Sequence, residues 1–465
     1  MMLILPKSIT LAITIEEIIG LGLPLVEIET DEGLIPTAEN ADHPNGSSGW
    51  SITNVSRVSG RLRVWNDNGE LEYDSGSYVE DVSGMVIKLR GNNSARRAQK
   101  PYNIKLQHKA DLLNRGDDSK YKDKHWLLLK EDNNSLNTPI GFKVNELLGM
   151  MWTPAYRFVN VMMNGNYLGV YLLSESVRRN NSARLNIDSE TGFLVERDIY
   201  WWNTDRWFQT SYVKGQHSRF TYKYPDADEV LAVRELHIKN VMEEVDEAVL
   251  NGNYEDVIDV ESFVGWVLGH DILGTSDAGG SNQFYIKKSD DANDKVKMPL
   301  LWDFDTSYCT PDEWSMLHDY PASYFKPLFA SDNSTFTLSY CRKWFDMSPH
   351  FIGNIKEYLD NFVTSKQAEA IDRSRRKEAE VCGLRYESVS QNAADVLQWF
   401  ISRVCFLDKQ IGELAKVNGI TAPELKTTIH HDLIDLSGRH ISNPRSKGLY
   451  IKGGKKWFYS CPASI

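Results

Sequence analysis

Residues 277–305 read DAGGSNQFYIKKSDDANDKVKMPLLWDFD, and this stretch fixes an order of elements and of functional groups together. Asp277 is followed five positions later by Asn282, with two glycines between them. From Asn282 to Lys288 apolar and polar residues alternate, which predicts a strand. A polar loop follows over 289–294. Val296, Met298 and Leu300 then predict a returning strand, completing a hairpin. The hairpin ends in Trp302-Asp303-Phe304-Asp305, where acids cap an apolar run. Acids in that position belong at the mouth of a pocket.

The resulting order is carboxylate, four residues, amide, hairpin, Asp-Phe-Asp. Phosphoryl transfer on a kinase scaffold uses the same parts in that order: a proton-accepting Asp, a metal-holding Asn, and an Asp before Phe that holds the metal ions bridging the phosphates. The D-x-x-x-x-N half is common by chance, and the competing reading is a surface turn with a buried hairpin end capped by solvated acids. The two halves joined by a hairpin are far more specific.

Upstream, residues 22–30, 61–65 and 84–90 predict strands, separated by a loop rich in Pro, Gly, Asn and Ser over 36–56. Arg90-Gly91-Asn92-Asn93-Ser94 directly follows the third strand. A glycine among short polar side chains can turn backbone N–H groups toward a phosphate, although a plain turn has the same composition. In Lys100-Pro-Tyr-Asn-Ile-Lys105-Leu the apolar residues share one strand face and Asn103 and Lys105 the other. A strand lysine after a phosphate loop is where a kinase places a cation. Lys105 is favoured over Lys100. Residues 125–130 predict a buried strand, 131–136 a loop, and Thr138-Pro139 the start of a helix ending near Gly149. Strands at 156–163 and 167–173 flank Asn164-Gly165, a hairpin signal, and Glu175 closes the second. Another strand covers 193–198, with Glu196 or Asp198 as further acids able to face a pocket. Aromatic residues crowd 200–222; such a set can form a sugar- or peptide-binding face, and the favoured reading is core cover. Helices are expected at 226–250, 260–273, 336–347, 351–362, 365–381 and 388–414, with His270 a packed helix residue.

These motifs together resemble the CotH kinases, a spore-coat family of atypical, secreted protein kinases. The resemblance spans residues 22–415 and rests on RGN-S, K-P-Y-x-I-K, NG-Y-G-Y-L-E, D-x-x-x-x-N and WDFD. It implies an α+β, atypical protein-kinase-like two-lobe fold with a β-rich N-terminal part and a helical C-terminal lobe. The implied activity is ATP- and Mg²⁺- (or Mn²⁺-) dependent phosphorylation of Ser or Thr in proteins. Asp277 would be the catalytic base. Asn282, Asp303 and Asp305 would be metal ligands. Arg90, Gly91, Asn92 and Ser94 would form the nucleotide loop, with Lys100 or Lys105 on the phosphates and Glu175 positioning the lysine. The family usually carries an Arg-Asn pair where Asn137-Thr138 stands here.

A second resemblance concerns IHHDLIDLSGRHISNPRSKGLYIKGGKKWFY, which is similar to C-terminal sorting tails of Bacteroidetes secreted proteins. Residues 426–465 are therefore expected to form a small strand-and-turn appendage read by secretion machinery, after a linker at 416–425. A unit of that size buries too little to fold as a separate core. Residues 1–21 read as a leader or a non-native start. Their apolar run carries Lys7, is broken by Pro6 and stops at Glu16-Glu17, a poor signal-peptide pattern. The expected location is secreted or cell-surface. A net charge of −12 argues against a general nucleic-acid binder. There is no run of 18 apolar residues of the kind a transmembrane helix needs. None of the five cysteines forms C-x-x-C. Two rival readings remain: a non-catalytic surface protein whose pocket holds nucleotide or nothing, and a glycan-active protein using paired acids and aromatics.

Overall fold

The computed structural model describes residues 13–41, 51–116, 118–130, 136–180, 183–226, 229–278, 280, 282–308, 316–320, 324–330 and 334–420, together with the backbone of 433–435, 448–452 and 455–459. Most of the 131–136 loop, Cys309, Cys461 and His430-His431 lie outside these residues.

In chain order the first half contains α1 (Ile15–Ile19), β1 (Leu25–Thr30), β2 (Glu39–Ala41), β3 (Ser51–Thr53), β4 (Val58–Trp65), β5 (Leu71–Asp74), β6 (Met85–Leu89), β7 (Tyr102–Ala110), β8 (Asp123–Leu129), α2 (Asn137–Leu147), β9 (Tyr156–Met163) and β10 (Asn166–Glu175). The second contains β11 (Phe193–Arg197), β12 (Trp207–Gln209), β13 (Arg219–Tyr224), α3 (Ala232–Asn251), α4 (Val260–Leu273), β14 (Gln283–Lys287), α5 (Thr335–Val363), α6 (Lys366–Cys382) and α7 (Val389–Val417). β15 (Leu433–Asp435), β16 (Gly448–Lys452) and β17 (Lys455–Tyr459) form a small antiparallel sheet. The architecture is α+β, β-rich in its N-terminal half and helical toward the C-terminus. The chain divides into two compact units: 1–135 with 154–176 and 363–389, and 136–153 with 177–362 and 390–465.

The first unit is built on a closed sheet. Its strands run β1-β9-β10-β8-β7-β6-β4, and β4 pairs back onto β1, while β5 pairs with the last residues of β4 along the edge that β6 uses at its start. Closure removes the exposed edges that an open sheet would have to protect. Strict alternation drives it. In β4 every second residue is buried, and β6 repeats the pattern with Met85, Ile87 and Leu89. Tyr102, Ile104 and Leu106 of β7 point into the same core, with Trp126, Leu128 and Leu173. Asn164-Gly165 closes the β9–β10 hairpin with both residues at positive φ. α1 has a capping box between Thr14 and Glu17, and buries Ile18 against Leu25, Met162 and Tyr167. A boundary at residue 22 therefore cuts through a packed segment.

Helix α6 lies on β10. Gly169, at φ 100°, leaves room for the Glu378 carboxylate, since a Cβ there would come within 2.0 Å of it. Glu378 forms a fully buried ion pair with Lys130, whose Nζ also donates to the Val170 carbonyl at 2.7 Å. Gln99 adds a further hydrogen bond to Glu378.

The second unit holds the sheet β12-β13-β11-β14 and helices α2, α3, α4, α5 and α7. α4 begins on an Asp259 cap and ends at Gly274 in the left-handed conformation. Its Asp271 is fully buried and accepts from the Leu317 N–H and the Tyr340 hydroxyl, both at 2.8 Å. The Asp271 carbonyl takes the Arg403 Nε–H at 2.8 Å, tying α4 to α7. His270 is buried against Trp266, and burial pushes its imidazole down to about 3, so it is neutral packing.

Two expectations need correction. The returning strand at 296–300 is not a strand: Val296 and Lys297 make only isolated bridges, to Ile258 and Ile286. Pro299 supplies no N–H to continue the ladder, and its carbonyl is taken by the Trp152 N–H at 3.3 Å. β14 instead pairs over its full length with β11. The helices expected at 336–347 and 351–362 are one, α5, with Pro349 inside it. Losing one N–H is offset because Trp344, Phe351, Ile352 and Ile355 bury the same stripe on both sides of the proline.

The Lys130–Glu378 pair gives a direct stability test. Glu378→Gln leaves the lysine charge buried without a counter-charge and is expected to destabilise the protein by about 3–5 kcal/mol. Denaturant or thermal unfolding of the purified variant measures it.

Candidate functional site

The carboxylates singled out in the sequence meet in the second unit, where two loops are laced together. One follows α4 and carries Asp277. The other follows Leu301 and carries Asp303, Asp305 and Thr306. Thr306 Oγ1 donates to Asp277 Oδ1 at 2.6 Å, and the Ser276 N–H reaches the Thr306 carbonyl. The Tyr308 N–H bonds to the Leu273 carbonyl at 3.0 Å, and the Thr275 and Ser307 hydroxyls share a bond at 3.1 Å. Burial raises the Asp277 pKa from its ordinary value. The Thr306 bond opposes that shift, and the nearby charge of Asp305 adds to it.

Asn282 and Asp303 both adopt left-handed backbone, at φ 61° and 64°. Such conformations cost on the order of 1–3 kcal/mol in a non-glycine residue and persist where the surroundings over-determine them. Here they do. Gln283, fully buried, donates from Nε2 to the Ala278 carbonyl at 3.0 Å and accepts from Tyr285 and Arg197, pinning the loop before Asn282. Asn137, at the head of α2, donates to the Phe304 carbonyl at 3.0 Å. The Phe304 ring is buried edge-on against Phe142 and sits over Gly141, where a Cβ would lie 2.5 Å from ring atoms. With its side chain fixed inward, Phe304 sets the backbone from which Asp303 and Asp305 project.

The segment after β11 joins this neighbourhood. Asp198, half-buried, accepts the Tyr200 N–H at 2.7 Å, and burial with the charge of Glu196 raises it to about 6. Burial raises the Tyr200 phenol, with the charges of Asp277, Asp198 and Asp303 adding to the shift.

The donors available for a cation are carboxylate and amide oxygens. Among the described residues no three His, Cys, Asp or Glu side chains form a metal-holding group by themselves. Two carboxylates and an amide suit Mg²⁺ or Mn²⁺, which keep several waters and bind through one or two carboxylates plus substrate phosphates. In kind, though not by any contact seen among them, these oxygens are the hard donors that such an ion takes.

The remaining candidates lie in the first unit. Gly91 has φ 74°, and a Cβ would strike the Ser94 hydroxyl at 2.1 Å, so the Arg90–Ser94 turn requires glycine there. Asn92 Oδ1 accepts the Ile52 N–H at 3.4 Å. Lys100 Nζ donates to the Ala95 carbonyl at 2.7 Å, holding the turn closed. Lys105 is exposed on the outer face of β7, between Val86 of β6 and His125 of β8.

Glu175 does not meet the expectation that it positions Lys105. It stands opposite Trp126, which stands opposite Ile104, so it belongs to the inner face of the barrel wall while Lys105 belongs to the outer. Glu175 is buried, paired with Arg115 at 2.9 Å and accepting the Ala155 N–H at 3.0 Å. Arg115 also binds Asp111. The alternation of β10 contained the signal: with Leu173 inward, Glu175 two residues on must be inward too.

Sequence reasoning also missed Thr306, Gln283 and Asn137 in their supporting roles. Thr306 directly follows Asp-Phe-Asp and Gln283 directly follows Asn282, so adjacency was the available clue.

A half-buried Asp of raised pKa beside an Asp-Phe-Asp turn, with hard oxygen donors, is the equipment of a kinase-type enzyme. The profile of the family described as CotH kinase protein matches residues 87–377, which include every candidate residue above. The chain belongs to that family. A search among curated proteins gave no match.

The Gly141–Phe304 contact is open to a double-mutant test. Gly141→Ala alone is expected to cost about 1–3 kcal/mol by overpacking. In a Phe304→Ala background the same change should cost almost nothing, because the ring it strikes is gone. Unfolding free energies of the four proteins measure the coupling.

Proposed function

We propose that this protein is an ATP- and divalent-metal-dependent phosphotransferase acting on Ser or Thr hydroxyls of proteins, on a kinase-like two-lobe fold. The observation that carries the reading is Asp277: a half-buried carboxylate of raised pKa, held by Thr306 in a loop laced to Asp303-Phe304-Asp305. A general base works best when its pKa lies near the operating pH, and burial moves Asp277 in that direction. Asp277 accepts the proton of the acceptor hydroxyl through the oxygen facing away from Thr306. Thr306 keeps the other oxygen, and so the carboxylate plane, in place. Asn282, Asp303 and Asp305 would hold Mg²⁺ or Mn²⁺, which neutralises charge on the phosphates when bound. Lys105, on its outer strand face, and the Arg90–Ser94 turn contribute cationic and N–H groups for a nucleotide. Glu175, on the inner face, acts on the barrel and not on the phosphates. The sorting-type sequence at 426–465 supports a secreted or surface location with the tail read by export machinery.

Two experiments test this reading. Asp303→Ala is expected to abolish metal-dependent ATP binding, measured by calorimetry, while Asp277→Ala keeps binding and loses transfer of labelled phosphate to a Ser-rich acceptor protein. Equal binding defects in the two variants would overturn the roles. The pH profile is the second. Transfer needs ionised Asp277, so kcat/KM rises with pH through its raised pKa. Thr306→Val removes the hydrogen bond that lowers that pKa, so the acidic limb should move to higher pH. A limb that stays put would show that Asp277 is not the titrating base.

A further inference from the structure

A run of aromatic contacts leads from the Asp277 loop toward a groove in the second unit. Ile199 stands against this loop: a Cβ on Gly280 would lie 3.8 Å from its Cγ2. Beside it Tyr200 packs on Trp202 with ring centroids 5.6 Å apart, Trp202 on Trp201 at 5.6 Å, and Trp201 on Trp207 at 4.0 Å. Trp207 opens β12, and there the groove begins, about 650 Å³ in volume, between β12 with the residues after it and the N-terminal half of α3. Trp207, Phe208, Tyr212, Ala232 and Leu236 supply its apolar lining.

Three features define what fits. First, β12 is an edge strand, paired among the described residues with β13 alone. The Thr210 N–H bonds to the Ser218 carbonyl, so ladder parity turns the Trp207 and Gln209 peptide groups away from β13. Second, the apolar side chains are unusually open: Leu236 is 58% exposed, Tyr212 64%, and Leu231 and Val233 at the head of α3 70% and 75%. Third, the charged groups of the groove are already matched. Glu235 pairs with Arg206 at 2.8 Å. Lys239 lies 3.9 Å from Glu243, which also takes the Ser211 N–H and hydroxyl and pins the strand end to α3. Recognition is left to main-chain hydrogen bonds and apolar contact. The groove is shallow and open, and its strand edge is three residues long. That accommodates a single extended chain, whereas a stable interface between two copies needs roughly 800 Å² from each.

We propose that this groove docks an extended segment of the protein substrate, added beside β12, with large apolar side chains at alternate positions and the phosphoacceptor beyond the Trp207–Tyr200 end. Strand addition takes affinity from main-chain bonds and selectivity from pockets for alternate side chains. The inference rests on the phosphotransferase reading for its direction, but the docking itself is separable from transfer.

The test uses the full chain and a library of dodecapeptides with a central Ser and varied flanks. In one arm labelled ATP and Mg²⁺ report transfer. In the other the same peptides are arrayed and the Asp277→Ala chain reports binding without turnover. Peptides with Leu, Ile, Val or Phe at alternate positions on one side of Ser are expected to lead in both arms. Leu236→Glu, at an exposed position, should raise their KM by about tenfold or more, since one lost apolar contact of this size is worth that much. It should leave kcat unchanged and remove the array preference. Transfer with no positional preference, or a preference that survives Leu236→Glu, overturns the docking site and leaves the phosphotransferase reading standing. An array preference abolished by Leu236→Glu without any transfer sustains the docking site and counts against the phosphotransferase reading. No binding and no transfer overturns the docking site. A change in sedimentation on Leu236→Glu would mean that a second copy covers the groove, and would also overturn it.

Discussion

The ring of Phe304 over the bare Cα of Gly141 is the contact on which the acidic site depends. Asp303 and Asp305 flank that ring, so their directions follow from its burial. Asp303 then adopts φ 64°, a conformation that would relax if the ring were free to leave. The Asn137 bond to the Phe304 carbonyl fastens the same residue from its main chain. Through Thr306 the constraint passes to Asp277, so a single apolar contact in α2 governs carboxylates far away in sequence. The arrangement follows a general rule: reacting groups held by locked, packed neighbours need little reorganisation when they act.

Much of this was legible in the sequence, because the relevant patterns are local. Alternation located β4, β6, β7 and β14, and i, i+3, i+4 spacing located α4 to the residue. What the sequence hid was pairing over long separations. Closure of the barrel needs β1 to pair with both β4 and β9, and no local pattern in residues 25–30 announces either partner. The return strand after β14 was misread because Val296, Met298 and Leu300 alternate correctly, while Pro299 between them denies a ladder its donor. At the site, the acids were visible and their supports were not. Gln283, Thr306 and Asn137 are ordinary polar residues whose importance comes only from which carbonyl or carboxylate they reach.

Glu175 teaches the opposite lesson. Its identity invited a role beside a phosphate-binding lysine, yet strand parity alone excludes Lys105 from its face. An acid on the inside of a barrel has to find a cation there, and Arg115 provides it. Lys105 faces outward on β7 and is exposed, so no buried counter-charge is required of it.

The seat of α6 on the barrel has a consequence for how the chain is made. Lys130 lies 248 residues ahead of its counter-charge, Glu378. During synthesis every barrel strand emerges long before the helix that neutralises this lysine and covers Gly169. Through that interval the wall of β10 is unfinished, and the lysine must remain hydrated outside it. Docking of α6 on the barrel is therefore a late event, possible only after most of the polypeptide has been made. A fragment ending before residue 363 would contain all the strands of the barrel and still lack the means to close over its own charge.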